Sequence, residues 1–248
     1  MSSLALDRIA ILALLLLSLF LAGRGWLADH PEHNPWAPLS LDEPEGWATG
    51  RKLGGLRADA QTCAAFLERA DIAVQPLEPT GEGSCRREDR QQLASADALG
   101  LALSPARAQT TCAVDGAFAW WIRHGVEPAA RAHLESPVAR IEHLGTYNCR
   151  RIGGGQNGNW SEHATGNAID IAAFVLEDGT RISIKGDWKA AANGTGEEAN
   201  EQAAFLREVR DAACTAFATV LSPDYNAAHA DHLHLDQAKR AGGWSTCR

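Results

Sequence analysis

The apolar positions of this chain recur with changing periods, and the changes mark its elements. Ile9–Gly23 (IAILALLLLSLFLAG) has no polar face and is flanked by Arg8 and Arg24. Residues 24–50, with HPEHNPWAPLSLDEPEGW, show neither a helical nor a strand period and read as a tether. In DAQTCAAFLERADIAV, Cys63, Phe66 and Leu67 fall on one face at i, i+3, i+4 and predict a helix. LEPTGEGSCRREDR is turn-rich. TTCAVDGAFAWWIRHGV predicts a buried helix with Cys112, Gly116, Ala119 and Trp120 along one stripe, and EPAARAHL continues helically after a break. SPVARIEHLGTYNC alternates in part, as a strand or hairpin does. RRIGGGQNGNW is a glycine-rich loop, and NAIDIAAFVL, EDGT and RISIKGDW predict a β-hairpin. EANEQAAFLREVRDAACTAFATVL is the clearest helix, with Phe205, Leu206, Val209, Ala213, Cys214 and Phe217 at helical spacing. DHLHLD alternates like a half-buried strand.

This order of helices and strands predicts an α+β fold. The expected organisation is an export signal or anchor over 1–28, a linker over 29–50, a small Cys-containing helical region over 51–105, and a main domain over 106–248. The 15-residue apolar run is short for a spanning helix, which needs about 20 residues, and suits a secretory signal. No clean small-residue cleavage site follows it, which favours an uncleaved anchor formed by residues 9–23 in the inner membrane.

Composition narrows the function classes. The formal net charge is −8, and beyond residue 28 the chain carries 21 basic against 30 acidic residues. No basic face for a nucleic acid is available on that balance. Six dispersed cysteines, Cys63, Cys85, Cys112, Cys149, Cys214 and Cys247, include no C-x-x-C pair. In an exported chain they predict up to three disulfides, whose pairing spacing alone does not choose.

The chemistry concentrates in two blocks. In the first, SEHATGNAID, the strand period puts Ala168, Asp170 and Ala172 on one face and Ile169 and Ile171 on the other. Asp170 is then a carboxylate on a rigid platform with small neighbours, and His163 precedes it across a Gly166 turn. In the second, HADHLHLD, His232 and His234 share a face opposite Leu233 and Leu235. His163, Asp170 and one of His232 and His234 make a set of two histidines and one carboxylate, which with a water in the fourth position is a catalytic zinc site. The glycine loop lacks Gly-Lys-Ser/Thr and reads as a rim beside the site rather than a phosphate cradle. Trp160 and Trp188 read as core or rim aromatics, with sugar stacking as the alternative, His229 as a loop residue or else an outer partner of the ligands, Asp236 as an orienting acceptor or strand-end charge, and His124, His133 and His143 as isolated histidines that need no function.

Ser161, His163, Gly166, Ala168 and Asp170 match the S-x-H-x-x-G-x-A-x-D signature of zinc D-alanyl-D-alanine peptidases, and Asp231 and His234 match their closing Glu/Asp-x-x-His. More closely, Tyr147, Cys149 and Arg150, the Ser161–Asp170 block, and His229, His232, His234 and Asp236 resemble the bacterial extensin-like C-terminal domain proteins, over roughly residues 35–248. The resemblance implies a hedgehog/DD-peptidase-like antiparallel sheet with flanking helices, acting in the periplasm on peptidoglycan stem peptides. It implies one zinc held by His163, Asp170 and His234. Asp231 is then the general base for a metal-activated water, His232 an assisting hydrogen-bond donor, and Arg150 the group that polarises the scissile carbonyl. Two departures weigh on turnover rather than on metal binding. Only 10 residues separate Arg150 from Ser161, and Asp231 is one methylene shorter than the commoner Glu. The competing readings are a non-catalytic wall-binding or metal-binding module on the same fold, and a disulfide-stapled structural protein.

Overall fold

The computed structural model describes residues 3–94, 99–189 and 197–248, so parts of the regions expected at 1–28, 51–105 and 106–248 lie outside the described residues. Helix α1 (Ser3–Asp29) outruns the 15-residue apolar core of its sequence. Its 23-residue stretch Asp7–Asp29, none of it buried, is long and apolar enough to cross a membrane. At 1.5 Å per residue that stretch is about 35 Å long, against a bilayer core of about 30 Å.

Helices α2 (Thr49–Ala58) and α3 (Ala60–Arg69) follow, joined at Asp59, whose carboxylate caps α3 by accepting from the Thr62 amide at 2.7 Å. Strands β1 (Val74–Pro76) and β2 (Gln91–Leu93) come next, then β3 (Ala102–Ser104) and β4 (Gln109–Thr110). Helix α4 (Cys112–Trp121) is buried along its whole length. The break expected after it is a π turn, Ile122–Val126, that leads without interruption into α5 (Glu127–His133). Strands β5 (Val138–Gly145), β6 (Ala168–Leu176) and β7 (Arg181–Ser183) are followed by the short α6 (Ile184–Asp187) and the 20-residue α7 (Glu197–Ala216). Strands β8 (Thr219–Leu221), β9 (Leu233–Asp236) and β10 (Thr246–Cys247) complete the chain.

The main sheet runs β10-β8-β9-β6-β5-β3, with β7 paired to β6. Its centre is antiparallel, as expected, but both edges, β10 on β8 and β3 on β5, are parallel. A second sheet, β1-β2-β4, was not foreseen. Its strands are two or three residues long, too short to show an alternation.

One apolar core joins α2, α3, α4, α7 and the inner face of the main sheet. Leu53, Leu56 and Phe66 belong to it together with Ile169, Ile171 and Phe217, so it crosses the division expected near residue 105. The segment 29–50 is also not a free tether. Leu39 is in the core, His124 Nε2 bonds the Leu41 carbonyl at 2.8 Å, and Lys52 Nζ bonds the Pro31 carbonyl at 2.6 Å. Its apolar residues are single rather than periodic, which hid their burial from a pattern reading. Trp121 fills the centre and donates from Nε1 to the Val209 carbonyl at 2.7 Å, fixing α4 on α7. All six cysteines are paired: Cys63–Cys112, Cys85–Cys149 and Cys214–Cys247.

Asp115 links α4 to the small sheet. Its buried carboxyl accepts from Gln91 Nε2 at 2.7 Å and from Thr110 Oγ1 at 2.5 Å. Burial pushes it up to about 7. The unfolded chain releases that proton near pH 3.9, so between about pH 4 and 7 the native state binds more protons and stability falls as pH rises. Thermal melts are expected to show Asp115→Asn gaining on the wild type as pH rises from 4 to 7, with no further change above that range.

Candidate metal centre

His163 sits in a 3-10 turn, Glu162–Thr165, opened by Ser161 and closed by Gly166. Gly166 has φ of 73°, a backbone that favours glycine, and a Cβ there would stand 2.8 Å from Arg87 Nη2 and force that guanidinium to shift. Asn167 ties the turn to its neighbours. Its Nδ2 donates to Glu162 Oε2 at 2.6 Å and the Gln237 carbonyl at 2.9 Å, and its Oδ1 accepts from Thr111 Oγ1 at 2.8 Å. Asp170 on β6 and His234 on β9 are direct cross-strand partners, which puts their side chains on the same face. Ile169 and Ile171 point into the core, as the alternation predicts.

These elements bring three donor atoms together. His163 Nε2 lies 3.1 Å from Asp170 Oδ1 and 3.1 Å from His234 Nδ1, and His234 Nδ1 lies 2.9 Å from Asp170 Oδ1. Tetrahedral zinc with ligands at about 2.0–2.2 Å spaces its donors roughly 3.3–3.5 Å apart, so outward shifts of a few tenths of an ångström would fit such an ion. The remote nitrogen of each imidazole is already engaged. His163 Nδ1 donates to the Thr146 carbonyl at 3.2 Å, and His234 Nε2 donates to Asp236 Oδ2 at 3.0 Å. That leaves His163 Nε2 and His234 Nδ1, the nitrogens that face Asp170, as the ones whose lone pairs a metal would take in place of a proton, the outer-partner arrangement of histidines that bind metals. Every thiol is in a disulfide, so the donor set is nitrogen and oxygen.

Charge reinforces the geometry. Burial disfavours the Asp170 carboxylate, but hydrogen bonds from His163 and His234 outweigh it and hold the group well below the usual carboxylate range. Burial likewise disfavours the His234 imidazolium, and Asp170 and Asp236 overcome it, raising the ring to about 9. Burial, with His232 and His234 nearby, lowers His229 to about 4. Burial pushes the Glu162 carboxyl up.

The other expected site residues fall around this triangle. His232 Nε2 is 3.7 Å from Asp170 Oδ1, while its Nδ1 donates to Asp231 Oδ1 at 2.8 Å. Asp231 therefore stands behind His232, with its side chain half exposed, and the bond to His232 holds its carboxyl low. Arg150 is exposed at the rim, close enough to His229 to oppose that ring's protonation. Trp160 is partly exposed with Arg151 stacked at 4.4 Å over its ring, and Trp188 is buried and donates to Asp224. His133 bonds Glu208 at 2.6 Å and His143 the Pro105 carbonyl at 2.8 Å, both outside the cluster. Sequence reasoning missed Thr146 and Asn167. Thr146 acts through its backbone carbonyl, which leaves no side-chain signal, whereas Asn167 stood inside the motif block itself.

The class defined so far is an α+β domain, pinned by disulfides, that gathers two histidines and a carboxylate from a turn and two central strands into a group that could hold a metal ion. The family model described as extensin-like protein C-terminus matches residues 61–248, and the chain belongs to that family. No curated protein and no solved structure matches it.

Proposed function

We propose that the chain is an exported zinc-dependent hydrolase acting on peptidoglycan stem peptides, of the DD-carboxypeptidase or endopeptidase type. The observation that carries the reading is the triangle of His163 Nε2, Asp170 Oδ1 and His234 Nδ1 at 2.9–3.1 Å, with both remote ring nitrogens already hydrogen bonded. The peptide substrate class rests on the motif resemblance to zinc D-alanyl-D-alanine peptidases. The three disulfides and the unburied apolar α1 are compatible with export, and we read α1 as an anchor that leaves the domain in the periplasm.

Zinc held by His163, Asp170 and His234 would supply Lewis acidity and bring the pKa of a water towards about 7. The remaining steps belong to the chain's own side chains. Asp231 fixes the His232 proton on Nδ1 and leaves the Nε2 lone pair turned towards the triangle. His232 then takes the proton of the attacking water and returns it to the leaving amine, and Asp231 stabilises the imidazolium formed in between. This order differs from the one the motif implies, in which Asp231 is itself the base, because Asp231 faces His232 here. Arg150, an exposed cation at the rim, is suited to pair with a carboxylate of an acidic stem peptide.

A second reading, a non-catalytic wall- or metal-binding module, is favoured by the half-exposed Asp231. Incubating the full-length chain, in neutral detergent with zinc, with purified muropeptides separates the two. Mass-shifted products that vanish with chelator and return with zinc are expected. Muropeptide capture without product, undiminished by His234→Ala, would overturn the hydrolase.

A further inference from the structure

Away from the metal centre, a cavity of about 420 Å³ opens between α2 and the C-terminal loop, lined by Gly50, Arg51, Gly54, Arg57, Lys239, Arg240 and Trp244 among others. Four cationic side chains meet in it, in a chain of net charge −8, and no carboxylate lines it among the described residues. Arg240 is held in place: Nη1 donates to the Ala218 carbonyl at 2.9 Å, Nη2 to Thr219 Oγ1 at 2.5 Å, and the guanidinium stacks on Trp244 at 4.7 Å. Arg51, Arg57 and Lys239 have no ion pair or side-chain hydrogen bond among the described residues. Burial and the neighbouring Arg240 both disfavour the charge on Arg57. Asp236 offsets part of this, but its two oxygens are committed to His234 and the Ala238 amide. Like charges gathered with their donors free leave an anion as the missing component.

The position of the cavity selects the kind of anion. It begins at Gly50, one turn beyond Trp47. Trp47 packs on the His33 ring at 4.5 Å, and that ring stacks on Trp26, in the last turn of α1, at 5.3 Å. The cationic cavity is thus tied through three packed rings to the end of the helix that can cross a membrane. Trp47 is 79% exposed and Trp244 59% exposed. Exposed indoles beside clustered arginine and lysine are the side chains that settle at headgroup level.

We propose that this cavity binds the phosphate headgroup of an anionic membrane lipid and so holds the domain against the membrane in which α1 is anchored. The proposal rests on reading α1 as a retained anchor, and it is independent of the metal centre. Arg51, Arg57, Lys239 and Arg240 supply the donors, the small residues Gly50 and Gly54 let the phosphate approach the backbone, and Trp244 packs against the glycerol.

The test uses the full-length chain in neutral maltoside micelles with chelator present, titrated with dioctanoyl phosphatidylglycerol and followed by tryptophan fluorescence. Saturable binding is expected, weakened by salt. At about 1 kcal/mol for each surface cation, Arg51→Gln/Lys239→Gln is expected to bind roughly thirtyfold more weakly. Both residues are exposed, so unchanged melting temperature and circular dichroism would confirm that the double variant folds. Arg57→Gln gives an independent second variant, expected to weaken binding in the same direction. Equal binding of dioctanoyl phosphatidylcholine, or unchanged affinity in both variants, would overturn the proposal. Inorganic phosphate binding as tightly as the lipid would assign the cavity to a soluble anion, and displacement of the lipid by a muropeptide would assign it to wall carboxylates. Either outcome would overturn the lipid assignment while leaving the hydrolase reading to its own assay.

Discussion

The full-length protein, purified in neutral detergent and dialysed against zinc, is expected to carry about one zinc per chain by elemental mass spectrometry, and His163→Ala and His234→Ala are expected to carry none. This is the largest effect expected, because each replacement removes one of the three donors found among the described residues and leaves Asp170 facing an incomplete set. Asp236→Ala keeps all three donors but frees His234 Nε2, so it is expected to bind zinc about 10–100-fold more weakly rather than to lose it. The pH dependence has a fixed sign. In the metal-free protein His234 is protonated up to about pH 9, so zinc must displace that proton below this value. Zinc affinity is therefore expected to rise by up to about tenfold per pH unit towards pH 9 and then level off. A wild-type protein that takes up no zinc, or binds it with a pH-independent constant, would remove the metal centre from the account of this fold.

With zinc bound, His232→Ala is expected to lower kcat on muropeptides by about 10²–10⁴-fold while leaving metal content unchanged, because it removes the proton carrier and none of the three donors. Asp231→Asn should cost less. The amide oxygen can still accept from His232 Nδ1, and what is lost is the carboxylate charge that favours the imidazolium. If Asp231 is itself the base, the order reverses, with Asp231→Asn the more damaging and His232→Ala the milder. Measuring kcat and metal content for the two variants side by side separates these assignments.

The readable parts of this fold are its long periodic elements. The α7 stretch shows six apolar positions at helical spacing, and Phe205, Leu206, Val209 and Ala213 of the helix, with Phe217 just beyond its end, are all in the core. The β6–β7 hairpin follows from alternation on both sides of a Glu-Asp-Gly-Thr turn, and it forms as expected. The small sheet was invisible because β1, β2 and β4 are each two or three residues long and are positioned by contacts such as Gln91 with Asp115. The packing of 29–50 was invisible for a related reason. Leu39 and Leu41 reach the core singly, with no repeated pattern to announce a buried face.

Sequence alone determined the α+β class, the unpartnered apolar N-terminus, the even set of cysteines, and the two blocks from which the candidate ligands come. Periodicity is a local property, and it places Asp170 on one face of a strand and His234 on one face of another without their partners. Tertiary structure alone decided that the faces coincide, since only the β6–β9 register sets Asp170 opposite His234. The same register chose between His232 and His234. Both share a strand face in the sequence pattern, but His232 lies just before the paired segment, so His234 completes the triangle and His232 stands beside it with Asp231 behind. The pairing of the cysteines and the meeting of four cations near the end of α1 were decided in the same way. Each joins residues far apart in the chain, and only the folded backbone sets the distance between them.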